Sequence, residues 1–181
     1  MKVKVKYLND KVKDLYLKAS DGKAEVPFKT YEKDFCYDVV ATSCKEVAPN
    51  VYKYEFGLAF EIVRDDHQFI GFGDYDYPGY GLPNTFDIKP KKINVSIDAR
   101  PRSSIWKTGM ILANCEGTID ELYRGECAAI FYHVMPNMPK YEVGDKICQI
   151  KLGFTLPMEF SVVEELSETE RGDGGFGSTG K

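Results

Sequence analysis

VYKYEFGLAFEIV, residues 51–63, alternates strictly. Tyr52, Tyr54, Phe56, Leu58, Phe60 and Ile62 take every second position, with Lys53, Glu55, Gly57, Ala59 and Glu61 between them. A period of two predicts a strand that turns every aromatic and large aliphatic side chain to one face of a sheet. The same pattern recurs outward from this stretch. Val3, Val5 and Tyr7 alternate with Lys2, Lys4 and Lys6, and Ile93, Val95 and Ile97 with Asn94, Ser96 and Asp98. Cys148, Ile150, Leu152 and Phe154 repeat it near the C-terminus. Residues 127–134, CAAIFYHV, are apolar at both parities and read as a central strand buried on both faces. No window of 11 or more residues sustains helical apolar spacing, and Asn, Asp, Gly and Pro punctuate the chain every ten residues or so. Short strands with this punctuation predict an all-β sandwich or barrel with little helix.

The chain has 181 residues and a mass of 20.5 kDa, which suits one domain with a tail. A chain of this size buries about 70% of its surface on folding, so it needs no metal or disulfide staple. The 24 Lys and Arg against 28 Asp and Glu give a net charge of -4, which argues against a general nucleic-acid binder. No run of 18 apolar residues is present, so no membrane span is expected, and the N-terminus lacks the apolar core of a signal peptide. The five cysteines, Cys36, Cys44, Cys115, Cys127 and Cys148, form no CxxC pair. Reduced thiols and a cytoplasmic location are the expectation.

Two stretches differ from the rest. Residues 64–92 hold six aromatics, four glycines and the prolines 78, 83 and 90, and read as a long loop or irregular hairpin. Residues 167–181, SETERGDGGFGSTGK, hold five glycines and almost no apolar side chains, and read as an arm that is mobile without ligand. Backbone N–H groups of this arm, with Arg171, Ser178 and Thr179, suit a phosphate-like anion, and Phe176 suits stacking on a planar base.

Four further clusters are ordinary turns when taken singly. Pro101-Arg102-Ser103-Ser104 offers anion donors after a strand. Gly117 to Glu126 reads as a strand–turn–strand hairpin carrying Asp120, a candidate general base or a turn cap. Gly144-Asp145 reads as a turn before a strand, with Gln149 opposite in face to Cys148 and Ile150. Tyr37-Asp38 precedes them all.

In this order and spacing, the segments 37–41, 101–104, 117–125, 144–149 and 171–180 resemble the five motifs of the trimeric dUTP diphosphatases (dUTPases). The resemblance covers about residues 31–62 and 97–181. It implies a β jelly roll of the β-clip type over residues 1–166 and a Gly-rich phosphate-binding arm over 167–181. It also implies a homotrimer with shared sites, Mg2+ as cofactor, and hydrolysis of dUTP to dUMP and pyrophosphate. That activity limits uracil in DNA and supplies dUMP for thymidylate synthesis.

By this resemblance Asp120 activates the attacking water and meets the ribose 3′-OH, and Gln149 holds the water or an α-phosphate oxygen. Arg102, Ser103 and Ser104 grip phosphates, as do Arg171, Ser178 and Thr179 from the arm of another subunit. Asp38 acts on the metal through water. Tyr123 packs where a 2′-OH would project, the backbone of Gly117, Thr118 and Ile119 reads the base with Asn114, and Phe176 with Gly177 covers it. Phe35, Cys36 and Ser104 depart from the family's small residues. A dCTP deaminase is disfavoured, because Ile130 stands where a catalytic Glu is needed. The alternative is a nucleotide-sensing or regulatory protein acting through a partner, for which the atypical 64–92 insertion would be the protein-binding arm.

Overall fold

The structure is a computed structural model and describes residues 1–64, 93–172 and 174. The expectations for residues 65–92, and those for Phe176, Gly177, Ser178 and Thr179, lie outside the described residues. The elements in chain order are β1 (Lys2–Tyr7), α1 (Lys11–Ala19), β2 (Tyr37–Val40), β3 (Ser43–Ala48), β4 (Val51–Glu55), β5 (Leu58–Val63) and β6 (Asn94–Pro101). After a 3-10 turn (Ser103–Lys107) come β7 (Met110–Leu112), β8 (Gly117–Asp120), β9 (Ala128–His133) and β10 (Lys146–Thr155). The strands form an antiparallel β1-β5 ribbon and two four-stranded antiparallel sheets, β2-β10-β6-β8 and β3-β4-β9-β7. This is the expected all-β jelly roll. One core joins the sheets, with Val39, Tyr54, Phe56, Leu58, Phe131 and Ile147 fully buried. Among the described residues no helix is long and apolar enough to cross a membrane.

The 51–63 stretch keeps its alternation but not its continuity. The chain bends at Gly57, which has φ of 67°, and passes from the sheet of β4 to the ribbon of β5. A Cβ at Gly57 would stand 2.4 Å from Val12 Cγ2, so the bend and the close approach of α1 both require glycine there.

α1, nine residues long, is shorter than the 11-residue window and fits the expectation of little helix. Val12, Leu15, Tyr16 and Ala19 share one face, and Val12 and Tyr16 are fully buried. Nine residues are too few for an isolated helix, so packing holds this one. The Tyr16 hydroxyl accepts from Val40 N at 3.3 Å and lies 3.4 Å from the Phe56 carbonyl oxygen, to which it donates.

Residues 127–134 bring a correction. β9 is central in its sheet, yet only Ala129, Phe131 and His133 are buried. Ile130, Tyr132 and Val134 are exposed, and Ile111 on β7 adjoins them in the register. The apolar second face is real, and none of the described residues covers it. Beyond β10, Leu156, Met158, Phe160, Val162 and Leu166 are exposed as well.

Candidate active site

β2 and β10 run antiparallel with Asp38 opposite Gln149, so their side chains share a face of the sheet. β6 delivers the chain to Arg102 at the start of the 3-10 turn. The three side chains meet. Asp38 Oδ1 accepts from Arg102 Nε at 3.0 Å and from Gln149 Nε2 at 3.2 Å, and Oδ2 accepts from Thr30 Oγ1 at 3.5 Å. Lys146 Nζ lies 3.9 Å from Oδ2. Asp38 is only 3% exposed, and these contacts satisfy its buried oxygens.

A cleft of about 350 Å³ opens on this cluster, walled by Tyr31, Asp34, Phe35 and Cys36. A second cleft of about 510 Å³ shares Arg102 and is lined by Ser104, Lys107, Lys140 and Lys146. Arg102 therefore stands between two openings, the second of which is rich in cations. Ser104 is half-buried, its Oγ 3.4 Å from Arg102 Nη1, while Ser103 is exposed. Lys146 falls within the 144–149 motif without a role that the sequence alone assigns, and Thr30 carries no signal in the sequence.

The third motif is not a hairpin. β8 pairs with β6, whereas β9 pairs with β4 and β7 in the other sheet. The turn between them carries Tyr123, whose N–H donates to Asp120 O at 3.0 Å and whose hydroxyl donates to Glu126 O at 3.0 Å. A Cβ at Gly125 would lie 2.4 Å from that hydroxyl, so glycine lets the ring lie back against the turn. Asn114 Nδ2 sits 3.5 Å from the place a Cβ would take at Gly117, beside the strand of Thr118 and Ile119. Asp120 is exposed.

Within one chain Asp120 does not join the Asp38 cluster. Gln149 is opposite Arg100 on β6, and Asp120 is opposite Ser96. Four residues of strand and two inter-strand steps place the two about 16 Å apart on the same face. Between them Asp98 accepts from Ser96 Oγ and Lys151 Nζ, each at 2.7 Å. Arg171 Nε donates to Gly174 O at 2.8 Å, and no described contact joins it to the cluster. All five cysteines are free; Cys36 walls the first cleft, and burial pushes the Cys127 and Cys148 thiols up to about 12.

The donor set suits Mg2+ held at one remove. Among the described residues no group of three or more His, Cys, Asp and Glu could hold a metal directly. Asp38, with Asp34 in the wall of the same cleft and a second cleft lined by lysines, suits an ion that keeps its waters and takes its other oxygens from phosphates.

Residues 86–180 match the dUTPase family model. The deoxyuridine 5'-triphosphate nucleotidohydrolase of Nautilia profundicola is 34% identical over 131 residues, which are 72% of this chain and 89% of that protein. The chain belongs to the dUTPase family. The enzyme of the same name from Finegoldia magna is 46% identical over 85 residues, 46% of this chain, and the match spans only 59% of that relative's length. Among solved dUTPases, that of Staphylococcus bacteriophage 80alpha, a mutant solved with dUpNHpp, superposes with a TM-score of 0.64 over 99% of both chains at 18% identity.

Proposed function

We propose that this dUTPase-family protein hydrolyses dUTP to dUMP and pyrophosphate in a homotrimer whose sites are built between subunits. One observation carries the reading. Asp38, Arg102 and Gln149 form a joined cluster on an open cleft, while Asp120 is about 16 Å away on the same sheet. One water cannot meet both Gln149 and Asp120 of a single chain, but it can meet them when they come from two copies. The exposed apolar face of Ile111, Ile130 and Tyr132 supports assembly of such copies.

In this reading Asp120 takes a proton from water as the water oxygen attacks the α-phosphorus. The bond from that phosphorus to the bridging oxygen breaks, and pyrophosphate leaves. Gln149 orients the water or an α-phosphate oxygen, and Asp38 holds Gln149 and Arg102 in place. Arg102 with Ser103 and Ser104 grips the phosphates, and Arg171 with Ser178 and Thr179 of the arm closes over the far end and excludes bulk water. Asp38 would hold a bound Mg2+ through water, and that ion would supply neutralisation of the phosphate charge. Tyr123 rejects ribose, and Asn114 with the backbone of Gly117, Thr118 and Ile119 reads uracil. Free thiols fit a reducing compartment such as the cytoplasm.

The test is pyrophosphate release from dUTP, dCTP, dTTP and UTP, each with and without a chelator. Release from dUTP alone, abolished by chelator, is expected. Binding of dUTP without release would instead favour a nucleotide-sensing scaffold.

A further inference from the structure

The turn that carries the proposed base and the ribose-packing tyrosine is anchored by a residue outside all five motifs. Arg64 follows β5 directly. Its Nε donates to Glu121 Oε1 at 2.6 Å, and its Nη2 donates to Glu121 Oε2, a bidentate pair. Its remaining nitrogen, Nη1, donates to the carbonyl of Ile93 at 2.7 Å. One guanidinium thus joins three segments: the end of β5, the start of β6 and the turn after β8. Arg64 and Ile93 are also the described residues that flank 65–92.

Other polar contacts of the turn are local. Arg124 Nη1 donates to the carbonyls of Glu121 and Tyr123, and Tyr123 bonds to Asp120 and Glu126. Among the described hydrogen bonds, only those from Arg64 tie residues 121–124 to another part of the chain. Both partners are 30% exposed in their side chains, so the pair contributes little to global stability. Planar fork geometry nonetheless fixes direction in a way that a single ammonium does not. Glu121 is covalently next to Asp120 and two residues from Tyr123, so its direction sets theirs.

We infer that Arg64 is a positioning residue: through Glu121 it holds the turn so that Asp120 and Tyr123 keep the spacing that turnover and deoxyribose selection need. The inference rests on the proposed dUTP hydrolysis for its effect on rate, but not for its effect on the turn. Arg64→Ala and Arg64→Lys are compared with the wild-type full-length protein in two measurements. The first is amide hydrogen exchange at Tyr123, whose N–H is bonded to Asp120 O. About tenfold faster exchange in both variants is expected, with a nearly unchanged melting temperature.

The second measurement is the split of kinetic constants. A fall in kcat on dUTP of about tenfold, a smaller change in KM and a narrowed preference for dUTP over UTP are expected. Glu121→Ala should act like Arg64→Ala, and the double variant no worse than either. Unchanged Tyr123 exchange overturns the inference whatever the activity. So does a lowered melting temperature with normal kcat and selectivity, which marks a merely structural pair. Faster exchange in a protein whose wild type never releases pyrophosphate leaves the anchor standing and removes the proposed reaction.

Discussion

Asp98 shows how this sheet keeps charge on a nearly closed surface. It is 9% exposed and lies between the two halves of the proposed site. Burial pushes its carboxyl up, but the hydrogen bonds from Lys151 and Ser96, with the charges of Lys151 and Arg100, outweigh burial and hold it below the ordinary carboxylate value. Gly153 makes room for this: a Cβ there would fall 2.3 Å from Asp98 Oδ2. A folded-state value below the unfolded one means that the ionised form stabilises the native state above the unfolded value, near 3.9. That contribution disappears as pH falls through the lower, native value. Asp98→Asn should therefore cost about 3 kcal/mol at pH 7, because Lys151 is left without its charge partner. The gap between variant and wild type should close as pH drops below about 4, checked by urea unfolding at a series of pH values. A gap that persists in acid would assign the cost to packing rather than to charge. Asp38 has more hydrogen-bond partners, and its neighbours Arg102 and Gln149 were legible because chemistry-bearing residue types recur there in a fixed order. Thr30, Lys146 and Arg64 were not legible, since a single Thr, Lys or Arg acquires its role only from what the fold sets beside it.

At the scale of elements, the period of two located the strands well and their partners poorly. Tyr54, Phe56, Leu58, Phe60 and Ile62 are all buried as the alternation implies. Alternation says nothing of which sheet a residue joins, so the change of sheet at Gly57 is carried by a backbone angle and not by a side chain. The motif of residues 117–125 hid a similar change, because a short link between strands looks the same whether or not they pair. α1 escaped because its apolar face spans only Val12 to Ala19, two turns surrounded by lysines. Gly57 gives the test. Ala there must adopt φ of 67° and meet Val12 Cγ2 at 2.4 Å and Thr42 Oγ1 at 2.9 Å. Gly57→Ala should lower unfolding free energy by about 2 kcal/mol, from strain and overpacking together. A change within a few tenths would mean that α1 yields easily and that the bend does not fix its seat.

For the whole molecule, the two apolar surfaces exposed among the described residues and the distance between Asp120 and Gln149 point the same way. β9 reads as buried on both faces, and Ile130 and Tyr132 are exposed among the described residues, as the proposed assembly requires. If each site takes Asp120 from one copy and Arg102 from another, two inactive variants can repair each other. Asp120→Asn should keep nucleotide binding and lose turnover roughly 10³-fold, the scale of a missing general base. Arg102→Ala should lose turnover through the phosphate grip and through the charge that Asp38 then lacks. In the proposed trimer, the two variants unfolded together in equal amounts and refolded would form mixed assemblies. A site is intact only when its Asp120 comes from the Arg102→Ala chain and its Arg102 from the Asp120→Asn chain. Random association makes that happen in about a quarter of sites, so about a quarter of wild-type turnover should return. Were both residues to serve one site within a single chain, each chain would carry its own defect into every site, and mixing would restore nothing.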